Sequence, residues 1–394
     1  MGKLRRVVNE IAYAQDHAKL TPLQSSLIPL LSLASSLYGI TLSLRRSFYS
    51  FGLFSKHRLP VPVISVGNLT WGGNGKTPMV EFLAHCLADS GISPLILTRG
   101  YAGGDEARML QRHLLKRPAK IGVGANRAAT AASFFEKYGY IDPCSCKSSE
   151  RTCTDQKVGS HLKSEKIGAV ILDDGMQHWS LSRDLEIVMV NGLMPWGNRK
   201  LLPLGPLREP LMALKRADVA VIHHADLVSE QNLSDIELEM RDIKNSLSVL
   251  LTRMAPSYLF EVGNVNAKIA LTAVCNAVLL SVSAIGSANA FVQSLQKLGA
   301  YCVDRLDFSD HHLFQARDIE IIRKKLGELE GKFNSKPIVV VTEKDYDRDR
   351  EVLKHLEPFK VLVLCSKLQI ISRRGCSEDE DSFKKLLKEV LNVK

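Results

Sequence analysis

The stretch Val61-Pro-Val-Ile-Ser-Val-Gly-Asn-Leu-Thr-Trp-Gly-Gly-Asn-Gly-Lys-Thr-Pro78 decides the fold. It reads as a β-branched strand over Pro62–Val66, a glycine-rich loop, and a helix from about Met79 to Ala88. Consecutive backbone N–H groups of such a loop close around phosphate oxygens, while the helix N-terminus adds the positive end of its dipole. Thr70, Trp71, Gly72, Gly73, Asn74, Gly75, Lys76 and Thr77 are therefore expected to hold the phosphates of ATP. Lys76 would reach the β- and γ-phosphates, and the Thr77 hydroxyl would ligate Mg²⁺. The pattern G-x-x-x-x-G-K-[ST] asks for Gly where this chain has Thr70, and Gly72 and Gly73 supply backbone freedom instead. The plainer alternative is a strand-to-helix turn that happens to contain Gly-Lys-Thr. The strand before it and the helix after it both fall where phosphate binding needs them.

A second signal lies downstream. Lys166-Ile-Gly-Ala-Val-Ile-Leu-Asp-Asp-Gly175 is an apolar run ending in two carboxylates, the form of a buried parallel strand whose carboxyl end meets a ligand. Asp173 and Asp174 are expected at the metal, against the alternative of a solvated Asp-Gly turn.

Bulk properties bound the rest. A chain of 394 residues is long enough for two domains, and 45% hydrophobic with 24% charged residues is ordinary for a globular protein. The net charge is +10, and residues 1–60 carry eight Lys and Arg against Glu10 and Asp16, a local excess of +6. A basic end beside apolar sequence suits an anionic membrane surface. No zinc-finger spacing or RNA-binding signature is present, so nucleic acid is not expected as a partner. Most of the eight cysteines sit singly in apolar segments, as core thiols of a reducing compartment do. Cys144, Cys146 and Cys153, with His161 beyond, fit no standard zinc module and lie in a Ser- and Lys-rich stretch read as a solvated insertion. A cleavable secretory signal is not expected, because the apolar region begins too late and no small-residue cleavage site follows it.

Residues 21–44 carry no charge. Ser25, Ser32, Ser36, Gly39 and Ser43 recur at spacings of 7, 4, 3 and 4, which would give a helix one weakly polar stripe. Pro29 and Gly39 weaken that helix, and Arg45 and Arg46 close it. The expectation is an interfacial helix lying in a membrane surface, with one side free to pack on protein.

Beyond residue 60, strands and helices alternate, predicting an α/β fold: a mostly parallel sheet flanked by helices, with a second, smaller α/β domain. The expected division is a basic N-terminal region over 1–58, a P-loop kinase-like domain over 59–245 with an insertion at 143–165, a hairpin linker over 246–270, and a C-terminal domain over 271–394. Val249–Arg253 and Tyr258–Val262, split by Ala-Pro-Ser, are read as the two arms of that hairpin.

Phosphoryl transfer to an alcohol needs a carboxylate to take the hydroxyl proton and cations for the developing charge. Asp105 and Glu106, in Arg99-Gly-Tyr-Ala-Gly-Gly-Asp-Glu106, follow the second strand and so reach the sheet's carboxyl edge. Asp307-Phe-Ser-Asp-His-His312 and Thr342-Glu-Lys-Asp345 each follow a strand of the second domain and stay open between capping and chemistry. The proline-rich run Pro195–Pro210 presents Asn198, Arg199 and Arg208, groups that suit an anionic ligand or ordinary surface ion pairs.

The ordered set Val66-Gly-Asn-Leu-Thr-x-Gly-Gly-Asn-Gly-Lys-Thr-Pro78, Thr98-Arg-Gly-Tyr101, Gly104-Asp-Glu106, Asp173-Asp-Gly-x-Gln-His178, Leu202-Pro-x-Gly-Pro-Leu-Arg-Glu-Pro210, Asp310-His311 and Thr342-Glu-Lys-Asp345 resembles the tetraacyldisaccharide 4′-kinases, from about Leu30 to Leu391. The resemblance implies ATP- and Mg²⁺-dependent phosphorylation of the 4′-hydroxyl of an acylated glucosamine disaccharide 1-phosphate by a monomer. It further implies Asp105 as catalytic base, His311 as its partner, Glu106 and Asp173 at the metal with Asp174 in support, and the apolar N-terminal helix as a membrane-docking element. Two features depart from bacterial members: Arg-Gly-Tyr nearly touches Gly-Asp-Glu, and the loop around Cys144–Cys153 is cysteine-rich. With the basic N-terminus they point to a plant-type member on the inner, matrix or cytoplasmic, side of a membrane, with a mitochondrial location expected. The rival reading is a P-loop GTPase switch or metallochaperone, whose Asn/Thr-Lys-x-Asp guanine motif this chain lacks. A non-catalytic membrane scaffold with a dead loop is disfavoured, because Lys76, Thr77, Asp105 and Asp173 are all present.

Overall fold

In a computed structural model of the chain, the structure describes residues 2–14, 20–100, 104–141, 166–373 and 378–392. The expected insertion with Cys144, Cys146, Cys153 and His161 lies outside them. Two N-terminal helices, α1 (Gly2–Tyr13) and α2 (Pro22–Ser50), precede β1 (Val63–Asn68), α3 (Lys76–Asp89), β2 (Ser93–Thr98), α4 (Asp105–His113), β3 (Lys120–Val123) and α5 (Arg127–Tyr138). Then come β4 (Ile167–Asp173), β5 (Leu185–Asn191), β6 (Val219–His223), α6 (Glu230–Ile243), β7 (Ser248–Glu261), β8 (Asn264–Ile269) and β9 (Val278–Ser283). The chain closes with α7 (Ala288–Lys297), β10 (Cys302–Asp307), α8 (Ala316–Phe333), β11 (Ile338–Thr342), α9 (Glu343–Arg348), α10 (Arg350–Lys354), β12 (Val361–Ile371) and α11 (Glu380–Asn392).

The chain forms two compact units. The first comprises Met1–Arg99, Leu114–Arg253 and Ile370–Lys394. Its strands run in the order β7-β6-β5-β1-β4-β2-β3, each pair parallel. Every residue of β1, β2 and β6 is buried, because helices cover both faces of a parallel sheet and leave no polar side. Val66 of β1 lies beside Asp173 of β4, so the loop leaving β1 and the end of β4 meet at one carboxyl edge. The second unit, Gly100–His113 with Met254–Gln369, orders its strands β10-β9-β11-β12-β7, with β8 antiparallel to β7. Ile319, Ile322, Leu326 and Leu329 of α8 pack there against Val339 and Val341 of β11.

Three boundaries differ from the expectation. The segment 100–113, assigned to the P-loop domain, belongs to the second unit, because Arg112 of α4 is bound by Asp347 and Glu343 of α9. The hairpin is β7 with β8, and Ala255-Pro256-Ser257 stays inside β7. Pro256 falls outside the registers that β7 makes with β6 and β8, so those ladders ask no N–H of it. The C-terminal helix α11 returns to the first unit. Its Phe383 and Leu387 are buried there, and the Phe383 ring meets that of Phe82 in α3 at 6.3 Å between centroids.

α2 runs unbroken through Pro29 and Gly39, started by a capping box between Thr21 and Gln24. Its protein-facing side runs through Gln24, Ser35 and Tyr38, with Gly39 of the polar stripe beside Leu201. Ser35 donates to the Leu201 carbonyl at 2.9 Å, Tyr38 donates to the Arg208 carbonyl at 2.9 Å, and Gln24 is buried. Ser25, Ser32, Ser36 and Ser43 are exposed, because they sit on a different phase of the helix. Among the described residues α2 is the one helix long and apolar enough to cross a membrane.

Candidate functional site

The phosphate loop is built from β1 outward. Asn68 ends β1, donating to the Thr70 carbonyl at 2.5 Å and accepting from Arg208 at 3.1 Å. Asn74 donates to both the Thr70 carbonyl and its hydroxyl, each at 3.1 Å. Thr70 therefore staples the loop across its width, and its hydroxyl adds a contact that a glycine there could not make. Gly75 has φ +80°, and a Cβ there would lie 2.5 Å from the ring of His223. Glycine is required at that position on both counts. Lys76 opens α3, and Thr77 behind it is buried.

Neighbouring segments fix the loop from outside. Asn191 donates to the Gly73 carbonyl at 3.3 Å, Trp71 donates from its backbone to Pro206 at 2.9 Å, and the Tyr13 hydroxyl donates to the Trp71 carbonyl at 3.2 Å. Burial pushes the Tyr13 hydroxyl up to about 12.

Asp173 ends β4 and is buried. Asp174 follows at φ +55°, its carboxylate gripped by both Arg208 nitrogens at 2.7 and 3.0 Å, with Lys76 at 3.6 Å. Burial works against its charge, but Lys76, Arg208 and Arg127 outweigh that and hold the carboxyl far below the usual carboxylate range. Asp174, expected beside the metal, is thus engaged by cations. Arg208 does reach the loop, through Asn68 and Asp174. Asn198 and Arg199, expected to face an anionic ligand, are engaged within the protein. Asn198 donates to the Ile11 and Leu204 carbonyls and accepts from the Lys200 N–H, while Arg199 pairs with Glu239 at 3.0 Å.

The sequence reading missed Arg127. This buried guanidinium donates to the carbonyls of Asp173 and Asp174 at 2.6 and 3.3 Å, fixing the end of β4. The available signal is Asn126, an N-cap residue that opens α5. His178 lies in the same region, where burial and then the charges of Arg127 and Arg183 push it down to about 4.

In the second unit, Asp105 is the first residue of α4, and its side chain lies outside the described residues, as does the expected pairing with His311. Glu106 accepts from Lys344 at 3.3 Å, so this carboxylate too, expected at the metal, is engaged by a cation. His311 has φ +62°, and its Nε2 stands 3.4 Å from the same ammonium. Thr342 caps α9, while Asp345 and Arg348 form a fully buried pair at 2.8 Å.

The sequence model of the family described as tetraacyldisaccharide-1-P 4′-kinase matches residues 27–391. The chain is 59% identical over its whole length to a probable mitochondrial tetraacyldisaccharide 4′-kinase of Arabidopsis thaliana, spanning 99% of that relative. It is 31% identical to the tetraacyldisaccharide 4′-kinase of Halothermothrix orenii, covering 80% of this chain and 81% of the other. Among solved structures, an "apo" form of LpxK from Aquifex aeolicus in complex with ATP superposes with a TM-score of 0.59 at 25% identity, covering 94% of this chain and 99% of that one.

Proposed function

The chain belongs to the tetraacyldisaccharide 4′-kinase family, and from that membership we propose how its residues carry the reaction. It is an ATP-dependent kinase for the 4′-hydroxyl of a tetraacylated glucosamine disaccharide 1-phosphate. The observation that carries the residue assignment is the stapled loop Thr70–Thr77, with left-handed Gly75 and with Lys76 opening α3. Backbone N–H groups of this loop cradle the phosphates, and Lys76 balances charge on the γ-phosphoryl group as it transfers. The 4′-oxygen bonds to the γ-phosphorus, the bond to the bridging oxygen breaks, and ADP leaves. Asp105 takes the hydroxyl proton, with His311 as the partner that orients it. Thr77 and Asp173 form an all-oxygen donor pair that suits Mg²⁺, a cation held by few protein groups together with substrate phosphates. When bound, Mg²⁺ supplies neutralisation of phosphate charge.

The exposed face of α2 is assigned to a membrane surface. Leu30, Leu33, Leu37, Ile40 and Leu44, at spacings of 3 and 4, are each 52–65% exposed. Because the opposite face hydrogen-bonds to Leu201 and Arg208, the helix lies on a membrane rather than crossing it. The name of the Arabidopsis relative supports a mitochondrial location.

One preparation tests both assignments. Purified protein, ATP and tetraacyldisaccharide 1-phosphate in vesicles should yield a bisphosphorylated lipid by mass. ATP hydrolysis without that product would overturn the acceptor. A Leu33→Asn, Ile40→Asn variant should lose vesicle co-sedimentation yet bind ATP as before, and unchanged sedimentation would remove the membrane role of α2.

A further inference from the structure

Thr342-Glu343-Lys344-Asp345 is a motif to which the reaction above gives no task. Its flanking acids are structural. Glu343 accepts from Arg112 at 2.9 Å and lies 2.8 Å from His113, tying α9 to α4. Asp345 accepts from the Ala284 N–H at 3.1 Å and from Arg348 at 2.8 Å. Arg348 donates to the carbonyls of Ala284 and His312, and the His311 N–H donates to the Ala284 carbonyl at 3.2 Å. This web holds His311 at φ +62°, a conformation that persists in a non-glycine residue only where its surroundings over-determine it.

Lys344 lies between these two buried acids in sequence, and its own head points elsewhere. Its Nζ is 3.3 Å from Glu106 Oε1, 3.4 Å from His311 Nε2 and 3.9 Å from Asp310 Oδ1. An ammonium can only donate, so a hydrogen bond from it to His311 would use the Nε2 lone pair and leave the ring proton on Nδ1; Asp310 Oδ2 also faces Nε2, at 3.8 Å. Glu106 and Asp310 keep the ammonium in place: Asp310 Oδ1 is buried with no hydrogen-bond partner among the described residues, and Lys344 is the cation facing it.

We propose that Lys344 is a positioning residue for the proton step: it fixes His311 as the Nδ1–H tautomer, so that His311 orients a carboxylate by donation and does not itself take a proton at Nε2. The proposal rests on the reading of Asp105 and His311 as the pair that acts in proton transfer.

The test uses the full chain with ATP and the lipid acceptor. Lys344→Met should lower kcat by about 10²-fold through loss of alignment, with the KM for ATP unchanged. Lys344→Arg, which still donates, should recover most of it. Lys344→Met with His311→Ala should be no slower than His311→Ala alone. Selective ¹⁵N-histidine labelling, with His311→Gln to assign the resonance, should show the wild-type ring protonated on Nδ1. A wild-type ring protonated on Nε2 would overturn the proposal even if Lys344→Met failed to fold. Full turnover in Lys344→Met beside an impaired His311→Ala would overturn it while sparing the proton-transfer pair. Full turnover in His311→Ala would instead remove the pair, and the proposal with it.

Discussion

The loop Thr70–Thr77 of the first unit and the α4–α9 region of the second handle charge by different means. In the loop, local backbone does the work: two left-handed glycines, a Thr70–Asn74 staple and one helix start, all within eight residues. In the second unit, Glu106, Asp310, His311 and Lys344 come from three separate segments and are assembled by buried ion pairs such as Asp345–Arg348. A site made of backbone is written locally in sequence. A site made of side-chain partners depends on contacts that only the folded chain supplies.

That difference predicts a split in kinetics, with the larger effect in the second unit. Asp105→Asn should cut turnover by roughly 10²–10⁴-fold, the usual range for losing a general base, while ATP affinity stays as it is. Asp105 belongs to the second unit and the phosphate loop to the first, so a parallel loss of ATP affinity would break the division of labour. Lys76→Ala should lower turnover by about 10²-fold and weaken ATP binding as well, because its cation serves bound and transferring phosphate alike. An unchanged rate would show that Arg208, already at the loop, supplies the needed charge.

The same contrast explains what could be read in advance. The loop, the strand ending at Asp173 and the α/β alternation beyond residue 60 follow from period, composition and local motif. The membership of α4 does not, since Arg112 and Asp347 are 235 residues apart in sequence. Nor does the protein-facing side of α2. Serines recur on more than one phase of that helix, and only the carbonyls of Leu201 and Arg208 decide that Ser35 and Tyr38 face inward. Asn198 and Arg199 have the form of ligand groups because rigid loops often present such groups, yet Asn198 holds backbone and Arg199 holds Glu239. Lys344 is visible in sequence as part of a motif, but its role needs Glu106 and His311 beside it.

Acid should separate the two regions by a smaller margin. In the first unit, burial and then nearby arginines push His178 from 6.5 down to about 4, and burial pushes His224 to about 4 and His223 well below its ordinary value. Between pH 6.5 and 4 the unfolded chain therefore binds protons that the folded unit refuses, so stability falls as pH falls through that window. In the second unit, burial raises Asp345 and Asp347, and the folded state takes up protons more readily there, which acts in the opposite direction. Glu343 opposes them, its carboxyl held low by His113 and Arg112 against the effect of burial, but only below its ordinary value of 4.5. One fully shifted proton changes stability by about 1.36 kcal/mol per pH unit, and a half-buried ring such as His178 gives less because solvent screens it. Native-state hydrogen exchange at about pH 7 and about pH 5 should show protection falling first in β4, β5 and β6, with β9 and β11 lagging. His178→Asn should make that fall shallower without altering exchange in β9 and β11. An identical pH slope in the variant would mean that His178 takes up its proton as readily in the folded chain as in the unfolded one, and the arginines around it would then need a different account.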